Sequence, residues 1–135
     1  MGKAPVSSFE PSALSLLRIV AGFMFCQHGL QKLFGMLGGV GGKGGTAEFI
    51  TLSWVAGFLE TFGGLLVLFG LFTRPVAFIL SGLMACAYFM QHAPQNFWTI
   101  RNGGELAALY CFVFLYLFAA GGGPWSLDRL LRKKT

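Results

Sequence analysis

Long apolar segments, separated by short glycine- and proline-rich stretches, constrain this chain more than any other feature of its sequence. We predict four membrane-spanning segments, at about 12–36, 50–72, 75–91 and 104–120. A helix needs roughly 17–25 apolar residues to cross a bilayer, and only helices or closed barrels satisfy their backbone groups there. The chain is too short to close a barrel of ten-residue alternating strands. It is therefore predicted to be all-α, an integral membrane four-helix bundle forming one transmembrane domain over residues 1–135.

The composition agrees with a membrane protein and excludes a nucleic-acid-binding one. Hydrophobic residues make up 55% of the chain and charged residues 11%, whereas about 25% of a soluble domain is charged. The formal net charge is +5, but four basic residues are concentrated in the last seven positions, directly after an apolar run: Arg129, Arg132, Lys133 and Lys134. Nucleic acid requires a basic patch on a soluble surface. We therefore expect the chain to lie in the lipid bilayer and to bind no nucleic acid.

The orientation of the spans follows from the basic residues in the connecting segments, because these favour the cytoplasmic side. One side would carry Lys3, Arg74, Arg129, Arg132, Lys133 and Lys134, and the other Lys43 and Arg101. Both termini are thus predicted to be cytoplasmic, with the connections after the first and third spans outside. The first dozen residues lack an apolar core, so we expect no cleavable signal peptide.

Two features that suggest other classes of site are better explained otherwise. The cysteines Cys26, Cys86 and Cys111 lie in separate apolar runs without a CxxC pair or metal-ligand spacing, and buried cysteines usually act as small hydrophobes. No metal site is predicted. The glycine-rich segment 35–46 resembles a phosphate-binding loop, but Leu37 and Gly44 stand where glycine and Ser or Thr are needed. We expect a flexible connection there that can act as a lid.

Polar residues recur at helical spacing inside the apolar segments. Arg18, His28 and Lys32 share one face of the first span, and Glu60 lies near the middle of the second, flanked by Gly57 and Gly64 at helical spacing. A charge at the centre of a membrane helix costs about 2.5–3.5 kcal/mol, so it usually faces the bundle interior and a partner. Arg18 and Lys32 are the expected partners of Glu60. A structural ion-pair network and a ligand site both remain open.

Two further stripes complete a predicted pocket that opens outward, with Glu60 towards its floor. They are Ser81, Ala85, Tyr88 and His92 on the third span and Glu105, Leu109, Phe112 and Tyr116 on the fourth. The expected catalytic residues are Glu60, His28 and Glu105, and the expected ligand-binding residues are Arg18, Lys32, Tyr88, His92 and Asn102. Structural alternatives exist: Lys32 can reach the outer interface, Glu105 can cap a helix, and either histidine can be hydrogen-bonded in the core.

Three sequence patterns carry a family resemblance over nearly the whole chain. They are LLRIVAGFMFCQHGLQKLFG, GFLETFGGLLVLFGLFTRPVA, and NGGELAALYCFVFLY followed by GGGPWSLDRLL. Together these patterns resemble the DoxX family of small four-helix membrane proteins. The resemblance implies a multi-pass protein of the bacterial cytoplasmic (inner) membrane. It also implies sulfur or thiol redox work, since one member is a subunit of an archaeal thiosulfate:quinone oxidoreductase and another a membrane partner of redox-detoxifying enzymes in mycobacteria.

The leading hypothesis is a membrane subunit of a sulfur-, thiol- or quinone-linked redox assembly that works with redox partner proteins. Its pocket would hold a quinone headgroup or a small oxidisable substrate, to which His28, Lys32 and Glu105 supply donors and protons. Haem b between His28 and His92 is disfavoured, because a lone histidine pair is more often structural or protonic.

The alternative is a non-catalytic scaffold or small-solute carrier. Small-residue seams favour helix association in lipid, so we expect a homo-oligomer; the residues concerned are Gly57, Gly63, Gly64 and Gly82.

Overall fold

The computed structural model describes residues 6–134, and within that range all regular structure is helical apart from an isolated β-bridge between Val40 and Gly45. The helices are α1 (Glu10–Phe34), α2 (Leu52–Phe69), α3 (Thr73–Ala87), α4 (Thr99–Asn102), α5 (Glu105–Ala120) and α6 (Leu127–Arg132). One π-helical turn, Tyr88–His92, continues α3. Lys3, one of the basic residues that predict the orientation, lies outside the described residues.

The four predicted spans correspond to α1, α2, α3 with its π turn, and α5. Three helical stretches, Glu10–Phe34, Leu52–Phe69 and Thr73–His92, are long and apolar enough to cross a membrane. The fourth, Glu105–Ala120, is apolar but has only 16 residues, or about 24 Å at 1.5 Å per residue. It is shorter than a hydrocarbon core of about 30 Å, a mismatch that bilayers accommodate by local thinning.

The four long helices form a closed ring of contacts. α1 packs chiefly on α2 and α3 on α5, while α2–α3 and α1–α5 contacts join the two pairs. Glycines bring α1 and α2 close together: a Cβ on Gly22 would lie 2.5 Å from the Leu68 amide nitrogen, and one on Gly64 would lie 2.8 Å from Cys26. This close approach is the small-residue packing expected of helices in lipid.

The predicted oligomerisation glycines are largely used inside the chain. Gly57 and Gly64 contact α1, and Gly63 contacts Leu80 of α3, whereas a Cβ on Gly82 would meet nothing within 4 Å. The homo-oligomer therefore stays a prediction, and these seams explain the packing within one chain.

The glycine-rich connection between α1 and α2 is folded on itself. Val40 N–H donates to the Gly45 carbonyl over 2.7 Å, and Gly44 N–H donates to the Gly38 carbonyl over 2.8 Å. Ala47 N–H donates to the Lys32 carbonyl over 2.7 Å, which joins the end of the connection to the last turn of α1. Its use as a lid stays a prediction.

One end of the bundle is closed by hydrogen bonds to the main chain. The fully buried Arg18 of α1 donates from Nε to the Gly122 carbonyl, from Nη1 to the Val67 and Leu68 carbonyls, and from Nη2 to the Trp125 carbonyl. These acceptors lie at the end of α2 and in the segment between α5 and α6. Arg18 thus ties three parts of the chain together.

Two more charged side chains secure the same end. Asp128 of α6 accepts the Phe72 and Thr73 amides over 2.8 and 2.9 Å, which satisfies free N–H groups at the start of α3. Arg74 donates to the carbonyls of Phe118 and Ala119 at the end of α5. We call the region held by Arg18, Arg74 and Asp128 the clamped end.

Candidate functional site

A cavity of about 250 Å³ lies between the helices at the opposite end of the bundle from Arg18. All four long helical stretches contribute to its wall, which consists of Phe25, His28, Lys32, Glu60, Met84, Ala87, His92, Gly103, Leu106, Ala107 and Tyr110. The wall is therefore apolar on several sides, with two imidazoles, an ammonium and a carboxylate among its polar groups. We call this region the pocket end.

The charged pair in the cavity is Lys32 and Glu60. Lys32 Nζ lies 2.7 Å from Glu60 Oε1 and 2.9 Å from Oε2, so one ammonium faces both carboxylate oxygens. The Glu60 side chain is 3% exposed and that of Lys32 is 29% exposed. The carboxylate is thus sealed in the bundle, while the lysine borders the opening. The expected pairing of Glu60 with Lys32 is present, and Lys32 points inward instead of reaching the interface.

His92 is held in a defined orientation by the end of the π turn. Its Nδ1 lies 2.9 Å from the Asn102 carbonyl oxygen. Because a carbonyl only accepts hydrogen bonds, Nδ1 carries a proton, and Nε2 of the neutral ring is left as an acceptor. π turns insert one extra residue into a helix and are frequent at functional sites. Here the turn brings His92 to the cavity wall.

His28 approaches the cavity from α1, against an aromatic cluster. Its ring centroid lies 6.4 Å from that of Tyr110, with the two planes nearly perpendicular. Tyr110 in turn packs against Phe25 and stacks on Phe114. Among residues 6–134, no hydrogen bond to a protein group holds the His28 ring. His28 is therefore the imidazole whose two nitrogens are available to a ligand.

Asn102 and Tyr88 support the wall and do not line the cavity. The buried Asn102 side chain donates to the Asn96 carbonyl, lies 3.4 Å from the Tyr88 hydroxyl and accepts the Gly104 amide over 2.7 Å. A Cβ on Gly104 would lie 2.7 Å from the Tyr88 ring, so the close packing there requires glycine. This network fixes the Asn102 carbonyl that His92 contacts. Their predicted role as direct ligand contacts stays a prediction.

The structure does not bring Arg18 and Glu105 to the cavity. Arg18 lies at the clamped end and is bonded to main-chain carbonyls, so the expected Arg18–Glu60 pairing is absent. Glu105 is exposed in the first turn of α5, where a carboxylate is favoured by the helix dipole. Of the eight predicted site residues, the cavity brings together His28, Lys32, Glu60 and His92.

The predicted stripe on the fourth span also needs correction. Phe112 is 67% exposed and lies on the outer surface of α5 with Leu109 and Tyr116. The stripe that contains Glu105 therefore faces away from the bundle. Tyr110, which sequence reasoning missed, lines the cavity in its place. A signal was present: Gly103, Ala107 and Tyr110 follow one another at spacings of four and three, with Phe114 and Leu117 continuing that face.

The arrangement offers hydrogen-bond partners and an apolar wall to a small molecule. Glu60 neutralises Lys32, so with neutral histidines the cavity carries no net charge, which suits a neutral ligand better than an anion in a low-dielectric setting. His92 Nε2 accepts and His28 can donate or accept, so a carbonyl or hydroxyl group finds partners. A volume of about 250 Å³ fits one ring; it is small for a porphyrin, so the residues present do not favour haem.

The helices and the cavity define the class of protein: a small membrane helical bundle with a polar cavity between its four main helices. Comparison with known families then identifies the chain as a member of the DoxX family, whose model matches residues 13–93. That match covers most of α1 and all of α2, α3 and the π turn, so it includes His28, Lys32, Glu60 and His92.

Individual relatives cover most or part of the chain. A Haemophilus influenzae protein named "Uncharacterized protein" is 42% identical over 96% of this chain and 98% of its own length. The "Inner membrane protein YqjF" of Escherichia coli is 33% identical over 96% of this chain and 99% of its own length. The "Putative oxidoreductase CatD" of Bacillus subtilis is 39% identical over 55% of this chain and 54% of its own length. No solved structure matches the chain.

Proposed function

We propose that this protein is a membrane subunit of a redox assembly and that its cavity binds a small neutral redox molecule, such as a quinone headgroup. The observation that carries the proposal is the joining of His28, His92 and the Lys32–Glu60 pair in one cavity of about 250 Å³. A structural ion pair alone does not need two imidazoles beside it. The names of the relatives CatD and YqjF support an oxidoreductase context in a bacterial inner membrane.

Each polar group has a defined task in this proposal. His28 and Lys32 donate hydrogen bonds to a carbonyl or hydroxyl oxygen of the ligand, and His92 Nε2 accepts a hydrogen bond where that group is a hydroxyl. The Glu60 side chain, which is 3% exposed, accepts and releases a proton next to the Lys32 ammonium. Phe25 and Leu106 provide apolar walls for the ring. The ligand supplies the electron chemistry, and partner proteins supply or accept the electrons.

The orientation of the chain adds a direction to the proposal. With both termini cytoplasmic, the pocket end faces the outer side of the membrane and exchanges its ligand with that side or with the outer leaflet. This orientation is supported by the accumulation of basic residues at the clamped end, where Arg74, Arg129 and Arg132 lie.

The test is to purify the protein in mild detergent with its native lipid, record an absorbance spectrum from the ultraviolet to the red, and extract bound molecules for mass spectrometry. We expect a stoichiometric redox-active compound that is lost in Glu60→Gln and His28→Ala. Glu48→Gln is the matched control, because Glu48 is an exposed carboxylate in the connection before α2. Size-exclusion chromatography of each variant verifies that the bundle is intact.

The second candidate function is a non-catalytic scaffold or solute carrier. The observation that favours it is the closed Lys32–Glu60 pair, in which both carboxylate oxygens are occupied. It would be supported by a wild-type protein that retains only phospholipid and by Glu60→Gln and His28→Ala variants that lose stability without losing a ligand. That result would exclude the redox proposal.

A further inference from the structure

A second polar cavity, of about 190 Å³, lies at the clamped end and is not part of the candidate site. Its wall is made of Arg74, Ala120, Gly121, Gly122, Gly123, Ser126, Asp128, Arg129 and Arg132. Three guanidinium groups and one carboxylate thus border a space large enough for a small anionic group. The glycines at 121–123 leave the main chain without side chains on one side of it.

The charges in this cavity do not cancel. Both oxygens of Asp128 are taken by the amides of Phe72 and Thr73. Arg74 is held by carbonyls at the end of α5. Within residues 6–134, no hydrogen bond or ion pair to a protein group engages the Arg129 guanidinium. The cavity therefore combines a fixed arginine, Arg74, with one that has no such contact, Arg129. Its electrostatic potential is positive.

The position of the cavity indicates where its ligand comes from. The apolar helices α2, α3 and α5 all begin or end beside it, so it lies at the level where the hydrocarbon core gives way to headgroups. α6 is amphipathic: Leu127 and Leu130 border an adjoining, mainly apolar cavity of about 480 Å³ that also contains Trp125, while Arg129 borders the basic cavity. An amphipathic segment of this kind suits the membrane interface, where tryptophan is also enriched.

We propose that the basic cavity binds the phosphate group of an anionic phospholipid. Guanidinium groups match phosphate oxygens in charge and geometry, and basic pockets between helices at the cytoplasmic face are suited to anionic headgroups. Arg129 contacts the phosphate, Arg74 provides a preformed positive wall, and the apolar face of α6 lies against the acyl chains. The proposal does not depend on the function of the cavity at the pocket end.

Native mass spectrometry of the full-length protein in detergent, titrated with phosphatidylglycerol or phosphatidylcholine, tests the proposal. We expect phosphatidylglycerol to bind in preference to phosphatidylcholine. Its affinity should fall about tenfold or more in Arg129→Gln/Arg132→Gln. The matched control is Lys133→Gln/Lys134→Gln, which removes the same charge from neighbouring positions that do not border the cavity. For the control we expect a change of less than about threefold.

Three results would overturn the proposal. Equal weakening by the two double variants would mean that charge near the membrane acts without a site. Equal affinities of the wild-type protein for phosphatidylcholine and phosphatidylglycerol would mean that the headgroup charge is not recognised. Tighter binding of inorganic phosphate than of phosphatidylglycerol, measured as a separate arm on the delipidated protein, would show that the cavity takes a free anion in preference to a lipid.

Discussion

The two ends of the bundle hold buried charge in opposite ways. At the clamped end, Arg18 is fully buried and donates every hydrogen bond described for it to main-chain carbonyls. At the pocket end, Glu60 is nearly as buried but is paired with another side chain beside an open cavity. Carbonyls cannot move or change protonation, whereas a lysine, a carboxylate and two histidines can. The first arrangement fixes the fold, and the second leaves titratable side chains that the proposed function uses to exchange protons and to bind a ligand.

The largest effect should come from breaking the clamped end. Arg18→Met keeps most of the apolar stem but removes the guanidinium donor from the carbonyls of Leu68, Gly122 and Trp125, and from that of Val67, which keeps the Gly70 amide. Hydrogen bonds to a charged donor contribute about 1.5–3 kcal/mol each, so we expect the free energy of unfolding to fall by at least about 3 kcal/mol. Unfolding in mixed micelles with increasing sodium dodecyl sulfate measures it.

Arg101→Met is the control for this prediction, because Arg101 is exposed in α4 and away from the clamped end. Equal destabilisation by the two variants would mean that arginine at position 18 has no special part in holding the ends of α2 and α5 together. The contrast between the two ends would then be lost.

An intermediate effect is expected at the pocket end. Lys32→Met should destabilise the bundle by about 2–3 kcal/mol, because it leaves a carboxylate that is 3% exposed without a counter-charge. Glu60→Gln should cost less, since Lys32 is 29% exposed and can turn towards the opening. In the double variant neither charge is left unpaired, so the loss should be smaller than the sum by about 1 kcal/mol or more.

The same micelle unfolding assay on the four proteins of this double-mutant cycle gives the coupling free energy. Additive losses would mean that the two side chains do not stabilise one another. The pocket end would then have to be explained by ligand contacts alone, since its charges would gain nothing from each other.

What could be predicted from the sequence differs between the two ends for a physical reason. Helical periodicity places residues on faces, so the meeting of His28, Lys32, Glu60 and His92 could be predicted from their spacing. Arg18 has the same helical spacing, but its partners are main-chain carbonyls whose positions depend on the turns around Gly122. Every residue has a carbonyl, so the sequence does not indicate which ones an arginine will contact. On α5, the charge of Glu105 led to the prediction that it lies in the pocket. It needs no partner, because it lies at an exposed helix start.

The smallest expected effect concerns Tyr110, which lies between the aromatic core and the cavity. Its hydroxyl is buried, and no hydrogen-bond partner for it lies within residues 6–134. A buried hydroxyl without a partner costs about 1–3 kcal/mol in desolvation. Tyr110→Phe removes that cost while keeping the ring contacts to Phe25 and Phe114. We expect the ligand-free protein to be unchanged or up to about 1 kcal/mol more stable.

Tyr116→Phe is the matched control, because Tyr116 lies on the exposed side of the same helix; its stability should change by less than about 0.5 kcal/mol. Both variants are compared with the wild type by thermal unfolding, before and after the bound small molecules are extracted. A loss above about 1 kcal/mol in Tyr110→Phe after extraction would mean that the hydroxyl has a protein or water partner. A loss of stability seen only before extraction would mean that the bound molecule is that partner. Tyr110 would then be one of the polar groups at the pocket end that contact the ligand.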